Sequence, residues 1–220
     1  MVGVKEKFEY LKTINTGIIM DAMDGLNLQG WMYDEIVPIN PTSKIVGPAF
    51  TGLYSYVTDL NVPAHSTYDV IDMCEPGTVL VLAGCVGERV MGGFNSAAGK
   101  LKQLAAIVTE GMTRDVDEVA EIGCPLFCAG KRFYSTSPNS KLLDLNIPVN
   151  CGGRLVHPGD IIFGDGEGVI VIPVERIDDV IRQCKHVESC EIEMQEIVSG
   201  ARPLSDAKFV LKKKKTVQNE

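Results

Sequence analysis

The sequence predicts an α/β protein: a core with a parallel portion, then an antiparallel set of short strands and a long closing helix. Two observations carry this prediction. Between residues 78 and 129, apolar runs of strand length alternate with helical stretches in a β-turn-α-β-turn-α-β order. After residue 148 the pattern changes to short strands punctuated by Gly and Pro turns.

In chain order, residues 5–29 read as helical, and Thr16 is placed to cap a second helix whose apolar positions Ile18, Ile19, Ala22 and Met23 fall at helical spacing. Lys44 to Leu53 alternates between Pro41 and Gly52 and reads as a strand. Tyr68 to Cys74 reads as a short helix, Glu75-Pro76-Gly77 as a turn and Thr78 to Ala83 as a buried strand. Gly92-Gly93-Phe94-Asn95-Ser96 opens a helix to about Leu104. A strand over 105–109, a helix around Asp117–Ile122 and a strand over Pro125–Ala129 follow. Val149–Cys151, Arg154–Val156, Asp160–Gly164 and Val169–Ile172 are the short strands of the antiparallel set, with Pro158-Gly159-Asp160 and Gly164-Asp165-Gly166-Glu167-Gly168 as turns. Residues 174–198 form a long amphipathic helix, with Gly200 as its stop and Pro203 beyond.

We read residues 1–205 as a single domain and 206–220 as a polar, Lys-rich, flexible tail, with Lys212-Lys213-Lys214-Lys215 a frayed, solvated end. At 220 residues the chain is long enough to bury a proper core. Its 45% hydrophobic and 23% charged residues are ordinary for a globular protein. A formal net charge of -8 disfavours nucleic acid as a partner. No run approaches the roughly 20 apolar residues of a membrane span, and no signal-peptide pattern opens the chain. Seven cysteines, an odd and dispersed set with Cys85, Cys124 and Cys128 inside apolar runs, read as buried reduced thiols of a cytoplasmic protein. The spacing of Cys124 and Cys128 is not that of a zinc knuckle. His65, His157 and His186 are scattered without partner spacing and read as structural or solvated.

The stretch with the strongest chemical signal is Glu110-Gly111-Met112-Thr113-Arg114-Asp115, just after an apolar run. Charge at a strand end is costly unless used. Arginine offers a rigid fork of donors for a carboxylate or phosphate, and aspartate offers hard oxygens for Mg²⁺ or Mn²⁺. Strand ends of α/β folds are where ligands bind. An intramolecular Arg–Asp pair, or Asp115 as a helix N-cap, accounts for the same residues. Gly92-Gly93-Phe94-Asn95 is the second candidate, because glycines ahead of a helix let a ligand approach unpaired backbone donors. A plain strand-to-helix turn also uses such glycines. The compact return through helix and strand brings the two candidates to one sheet edge.

Asp21-Ala22-Met23, Lys44 to Ala49, Glu75 to Val81, Gly92-Gly93, Gly111 with Arg114-Asp115-Val116-Asp117-Glu118, Pro148-Val149, Pro158-Gly159-Asp160 and Gly164-Asp165 through Gly168-Val169 to Pro173, in this order, resemble the RraA-like family. The resemblance runs from about Thr16 to Gly200. The family contains divalent-metal-dependent 4-hydroxy-4-methyl-2-oxoglutarate aldolases, which are also oxaloacetate decarboxylases, and regulators of ribonuclease activity. It implies a three-layer swivelling β/β/α domain, a homotrimer or dimer of trimers, and an active site at a subunit interface. It implies that a small 2-oxo acid lies against Gly92, Gly93, Phe94 and Asn95, that Arg114 binds the substrate's carboxyl and keto region, and that Asp115 coordinates Mg²⁺ or Mn²⁺. The resemblance thus implies that Arg114 and Asp115 are the catalytic pair. The expected activity is that of a metal-dependent carbon–carbon lyase passing through a pyruvate enolate.

Three positions depart from the family pattern. The acidic residue usual in the aldolases, with twenty residues between it and the arginine, is Gly93 here. Glu110 stands where an aspartate is usual, and the turn acid is Glu167. The loss at Gly93 leaves two alternatives open: a non-catalytic oligomeric regulator binding an RNA-degradation enzyme, and a relative with dehydratase-type chemistry on a sugar acid, which the neutral Gly93 and the Asn95 amide would suit. Glu188, Glu191 and Glu193 on the long helix are candidates to complete a neighbouring subunit's pocket.

Overall fold

A computed structural model describes residues 2–217, in two compact units: residues 2–30 with 174–217, and residues 31–173. The expected tail residues 218–220 lie outside the described residues.

The first unit opens with α1 (Val2–Thr13) and α2 (Thr16–Gly25). Asn15, not Thr16, caps α2, its side chain accepting the Ile18 N–H at 3.0 Å. Thr16 is already inside the helix, so the extended residue before it takes the capping position.

The second unit is built on one mixed sheet. Its elements are β1 (Val37–Pro38), β2 (Ile45–Tyr56), α3 (Thr67–Met73), β3 (Val79–Ala83), β4 (Arg89–Met91), α4 (Gly93–Leu101), β5 (Ala106–Thr109), β6 (Met112–Thr113), α5 (Val116–Ile122) and β7 (Leu126–Cys128). Then follow β8 (Ser140–Leu145), β9 (Val149–Cys151), β10 (Arg154–Val156), β11 (Ile161–Asp165) and β12 (Gly168–Ile172). The strand order is β1-β7-β5-β3-β2-β11-β12, with β8 beside β2. Strands β2, β3, β5 and β7 pair in parallel. The expected antiparallel set is real but not separate: β9 pairs β10, β11 pairs β12, and β11 joins the parallel portion through β2. The segment 31–38 draws the two ends of the sheet together, since Trp31 bridges to Ile170 while Val37 and Pro38 pair with Cys128 and Phe127. The result is a nearly closed mixed sheet with helices outside, of the α/β class expected.

The period-two alternation of strand side chains sorts the core into two clusters. Val79, Val81, Ala106, Val108 and Phe127 point to the cluster shared with β9, β10, β11 and β12. Leu80, Leu82, Ile107, Leu126 and Cys128 point to the other, which Val70 and Ile71 of α3 and Val119 of α5 cover. Strands buried on both faces read as unbroken apolar runs, as β3 and β5 do.

The remaining helices, α6 (Ile177–Val198) and α7 (Ala207–Lys214), belong to the first unit. The flexible tail is corrected here. Residues 207–214 are helical, and Val210 packs with Cys190 and Ile197 of α6. Two of the four lysines in the cluster are held by carboxylates: Lys213 pairs with Glu193, and Lys214 reaches Asp21 at 2.5 Å and Glu191 at 3.1 Å. Long lysine stems can lie along a helix while their heads meet carboxylates. Among the described residues no helix is long and apolar enough to cross a membrane. All seven cysteines are buried and unbridged.

Candidate active site

Two short parallel strands set the site. β4 lies beside β6 with Met91 opposite Thr113, and the Arg114 N–H donates to the Met91 carbonyl at 3.3 Å. Each strand runs straight into a helix: Gly92 is the N-cap of α4 and Asp115 the N-cap of α5. The register therefore lays Gly92-Gly93 against Arg114-Asp115, and two helix N-termini, each with unpaired donors, start side by side. The pair does not sit at the end of β5, as the sequence suggested, but follows the two-residue β6.

Asp115 sits in the left-handed region at φ 57 and makes no side-chain cap to its own helix. A short polar side chain tolerates that conformation, at roughly 1 kcal/mol. Strain of this kind persists where surroundings over-determine it, often at functional sites. Its Oδ2 instead accepts the Gly93 N–H at 3.3 Å and faces Arg114 Nε at 3.2 Å. The intramolecular pair is thus present, but the two side chains are 46% and 37% exposed, so the charges are not in the costly burial expected. An exposed pair of this kind contributes about 0–1 kcal/mol to stability. It can exchange partners for a ligand at little cost.

Gly92 is buried, and a Cβ there would lie 3.1 Å from Asp115 Oδ2 and 3.4 Å from Arg114 Cγ. Glycine thus permits this close approach. Of the other loop residues, Gly93 is buried, Asn95 half-buried and Phe94 76% exposed.

The pair opens into a cleft of about 340 Å³ lined by Thr113, Arg114, Asp115, Val116, Lys131, Arg132 and Phe133. Sequence reading missed Lys131 and Arg132. Lys131 bridges to Thr113, and the Arg132 N–H donates to the Thr113 carbonyl at 2.8 Å, so the chain after β7 runs along β6. The available signal was positional: a basic pair just past a parallel strand, at the same sheet end as Arg114. A hollow of about 160 Å³ between residues 39–43 and 119–126 has no ionisable lining group except the buried Cys124, and offers no such chemistry.

The other acidic candidates have structural partners. Glu110 accepts the Gly84 N–H at 2.5 Å and the Gly152 N–H at 3.1 Å, clamping two loops. Glu167 lies in the β11–β12 turn, its N–H donating to Asp165 Oδ1 at 3.0 Å. Glu188 accepts from Tyr10, Glu191 from Lys214 and Glu193 from Lys213. Glu88, absent from the sequence reading, is a buried carboxylate near the start of β4. It accepts Tyr56 Oη at 2.5 Å and the Ser137 N–H at 2.8 Å. The Tyr56 hydrogen bond, with Ser137 and the Arg132 charge assisting, holds its carboxyl below the usual range.

Among the described residues no three His, Cys, Asp or Glu side chains converge to hold a metal ion, so there is no closed cage of the structural zinc type. Mg²⁺ and Mn²⁺ do not need one. Mg²⁺ keeps several waters and is held by one or two carboxylates together with substrate. A half-exposed aspartate beside a cleft lined by cations fits that donor set.

The chain belongs to the RraA-like family: the RraA-like (Aldolase/RraA) model matches residues 16–171. A protein of Halalkalibacterium halodurans named "Putative 4-hydroxy-4-methyl-2-oxoglutarate aldolase" is 30% identical over 190 residues, 86% of each chain. A solved structure of an uncharacterized Pseudomonas syringae protein superposes with a TM-score of 0.82 at 26% identity, covering 93% of each chain. The fold is shared with Streptomyces coelicolor RraAS2, described as an unusual member of the RNase ES inhibitor RraA family: TM-score 0.73, 24% identity, 90% of this chain and 96% of that one.

Proposed function

We propose that this protein is a divalent-metal-dependent lyase that cleaves a carbon–carbon bond in a small 2-oxo acid. The observation that carries the reading is the convergence of Arg114, Asp115 and the N-terminal end of α4 on a cleft that also bears Lys131 and Arg132. A cleft with three cationic side chains suits a dicarboxylic 2-oxo acid better than a monocarboxylic one. Arg114 binds the carboxylate adjoining the keto group, with bidentate geometry that lysine cannot reproduce. Lys131 and Arg132 attract the distal carboxylate. Asp115 holds Mg²⁺ or Mn²⁺, which supplies Lewis acidity to the 2-oxo oxygen.

The chemistry follows from charge. In decarboxylation of a 2-oxo-4-carboxylate, the bond to the distal carboxylate carbon breaks and CO₂ leaves. The electron pair then moves into the C2–C3 bond and onto the 2-oxo oxygen, giving a pyruvate enolate. Positive groups placed where that charge develops lower the barrier. Retro-aldol cleavage gives the same enolate but also needs a base for the hydroxyl proton.

The exposed Phe94 beside the site and Phe133 in the cleft, 76% and 86% exposed, support closure of the pocket by a neighbouring copy of this chain in a homotrimer or dimer of trimers.

The test is oxaloacetate decarboxylation by metal-stripped protein with Mg²⁺ or Mn²⁺ restored, run beside Asp115→Ala. Metal-restored pyruvate release that disappears in the variant is expected. No release above the free-metal background overturns the lyase reading in favour of a regulator or a sugar-acid dehydratase.

A further inference from the structure

Gly93 poses a physical question. It opens α4, outside the left-handed region, so its backbone does not require glycine. What fills the space beside it is Glu118. A Cβ on Gly93 would stand 2.4 Å from Glu118 Cδ and 2.5 and 2.6 Å from its two carboxylate oxygens. A side chain at position 93 and the present position of Glu118 therefore exclude each other.

Glu118 stands in the first turn of α5, three residues after Asp115, a spacing that puts both on one side of the helix start. Asp115 meets the N–H of Gly93, and Glu118 meets the side where its Cβ would be. Two carboxylates thus lie against one glycine. Arg114 pairs with Asp115, while the Glu118 carboxylate has no hydrogen bond or ion pair among the described residues. Neighbouring like charges repel, and an intervening cation relieves that repulsion.

We propose that Glu118 is the second carboxylate of the site: a divalent cation held at Asp115 is shared with Glu118, across the space that Gly93 leaves open. The inference rests on the function proposed above. The acidic group missing from position 93 of the sequence is then present in the site, delivered from α5 instead of α4. A purely structural role for Glu118, compensating the positive end of α4, is the competing account.

The two accounts separate in metal binding without substrate. Mn²⁺ is titrated into the metal-stripped protein, and free ion is followed by electron paramagnetic resonance. Asp115→Asn, which keeps a residue tolerant of the left-handed conformation, is expected to abolish binding. Glu118→Gln is expected to weaken it about tenfold or more. The decisive variant is Glu118→Ala combined with Gly93→Asp, which empties the space that Glu118 fills, returns a carboxylate to it from position 93, and is expected to recover most of the affinity lost in Glu118→Ala alone. Thermal melts of each variant establish that it is folded. Parent-like Mn²⁺ binding by folded Glu118→Gln, with binding lost in Asp115→Asn, overturns the role of Glu118 and leaves the lyase reading standing. Parent-like binding by Asp115→Asn, or none by the parent, overturns both.

Discussion

Among single residues, Glu88 carries a prediction outside the site. Its carboxyl is held below the ordinary range by the Tyr56 hydroxyl, the Ser137 amide and Arg132, so the fold favours the ionised form. A group with a depressed folded pKa stabilises above its unfolded pKa, and that contribution is lost as pH falls through the folded value. The parent should therefore lose thermal stability on acidification below about pH 4.5. Glu88→Gln should melt lower at neutral pH and show a shallower acid dependence, read by calorimetry across pH. Equal slopes for the two proteins would refute the assignment. Sequence reading found Arg114 and Asp115 because charge beside an apolar run stands out. It did not find Glu88, Lys131 or Arg132, and it quoted Glu118 only as part of a motif, because the significance of these residues lies in neighbours distant along the chain or across a turn. Tyr56 and Ser137, the partners of Glu88, are 32 and 49 residues away.

Elements with strong local signals are where the sequence expected them. The apolar runs of β3 and β5, and the turn glycines of the β11–β12 hairpin, specify structure through residues close in the chain. The elements missed were β1, β4, β6 and β8, and the C-terminal α7. Strands of two or three residues have no periodicity to read, and β8 is recognised only by its pairing with the far half of β2. α7 reads as a polar tail until Val210 and the acidic partners on α6 are brought to it. One turn between elements has a demanding geometry. Gly84, at φ +74, follows β3, and a Cβ there would stand 2.0 Å from the Tyr54 carbonyl oxygen. Its N–H also donates to Glu110. Gly84→Ala should destabilise the fold by on the order of 3 kcal/mol, combining backbone strain with a steric clash. A denaturant midpoint unchanged by the substitution would contradict this account.

At the scale of the whole molecule, the α/β class and its family were readable because the motifs occur in a fixed order, although most are ordinary turns taken singly. That residues 2–30 and 174–217 form one compact unit was not readable, because they meet only in the folded chain. The proposed assembly belongs to this scale too. Light scattering of purified protein should give about three or six times the 23.9 kDa chain mass. A monomer at working concentration would remove the neighbour from the site.

The pairing of Met91 with Thr113 has a consequence for how the chain tolerates change in length. Because side chains alternate along a strand, displacing β6 by one residue against β4 would turn Asp115 away from Gly93 and present its neighbour instead. A single insertion or deletion between Gly111 and Arg114 should therefore erase the site and also lower stability, because it breaks the backbone hydrogen bonds that tie Met112, Thr113 and Arg114 to their neighbours. Deletion scanning across 93–114 would trace this ruler, whose graduations are two hydrogen-bonded rows rather than a count of residues.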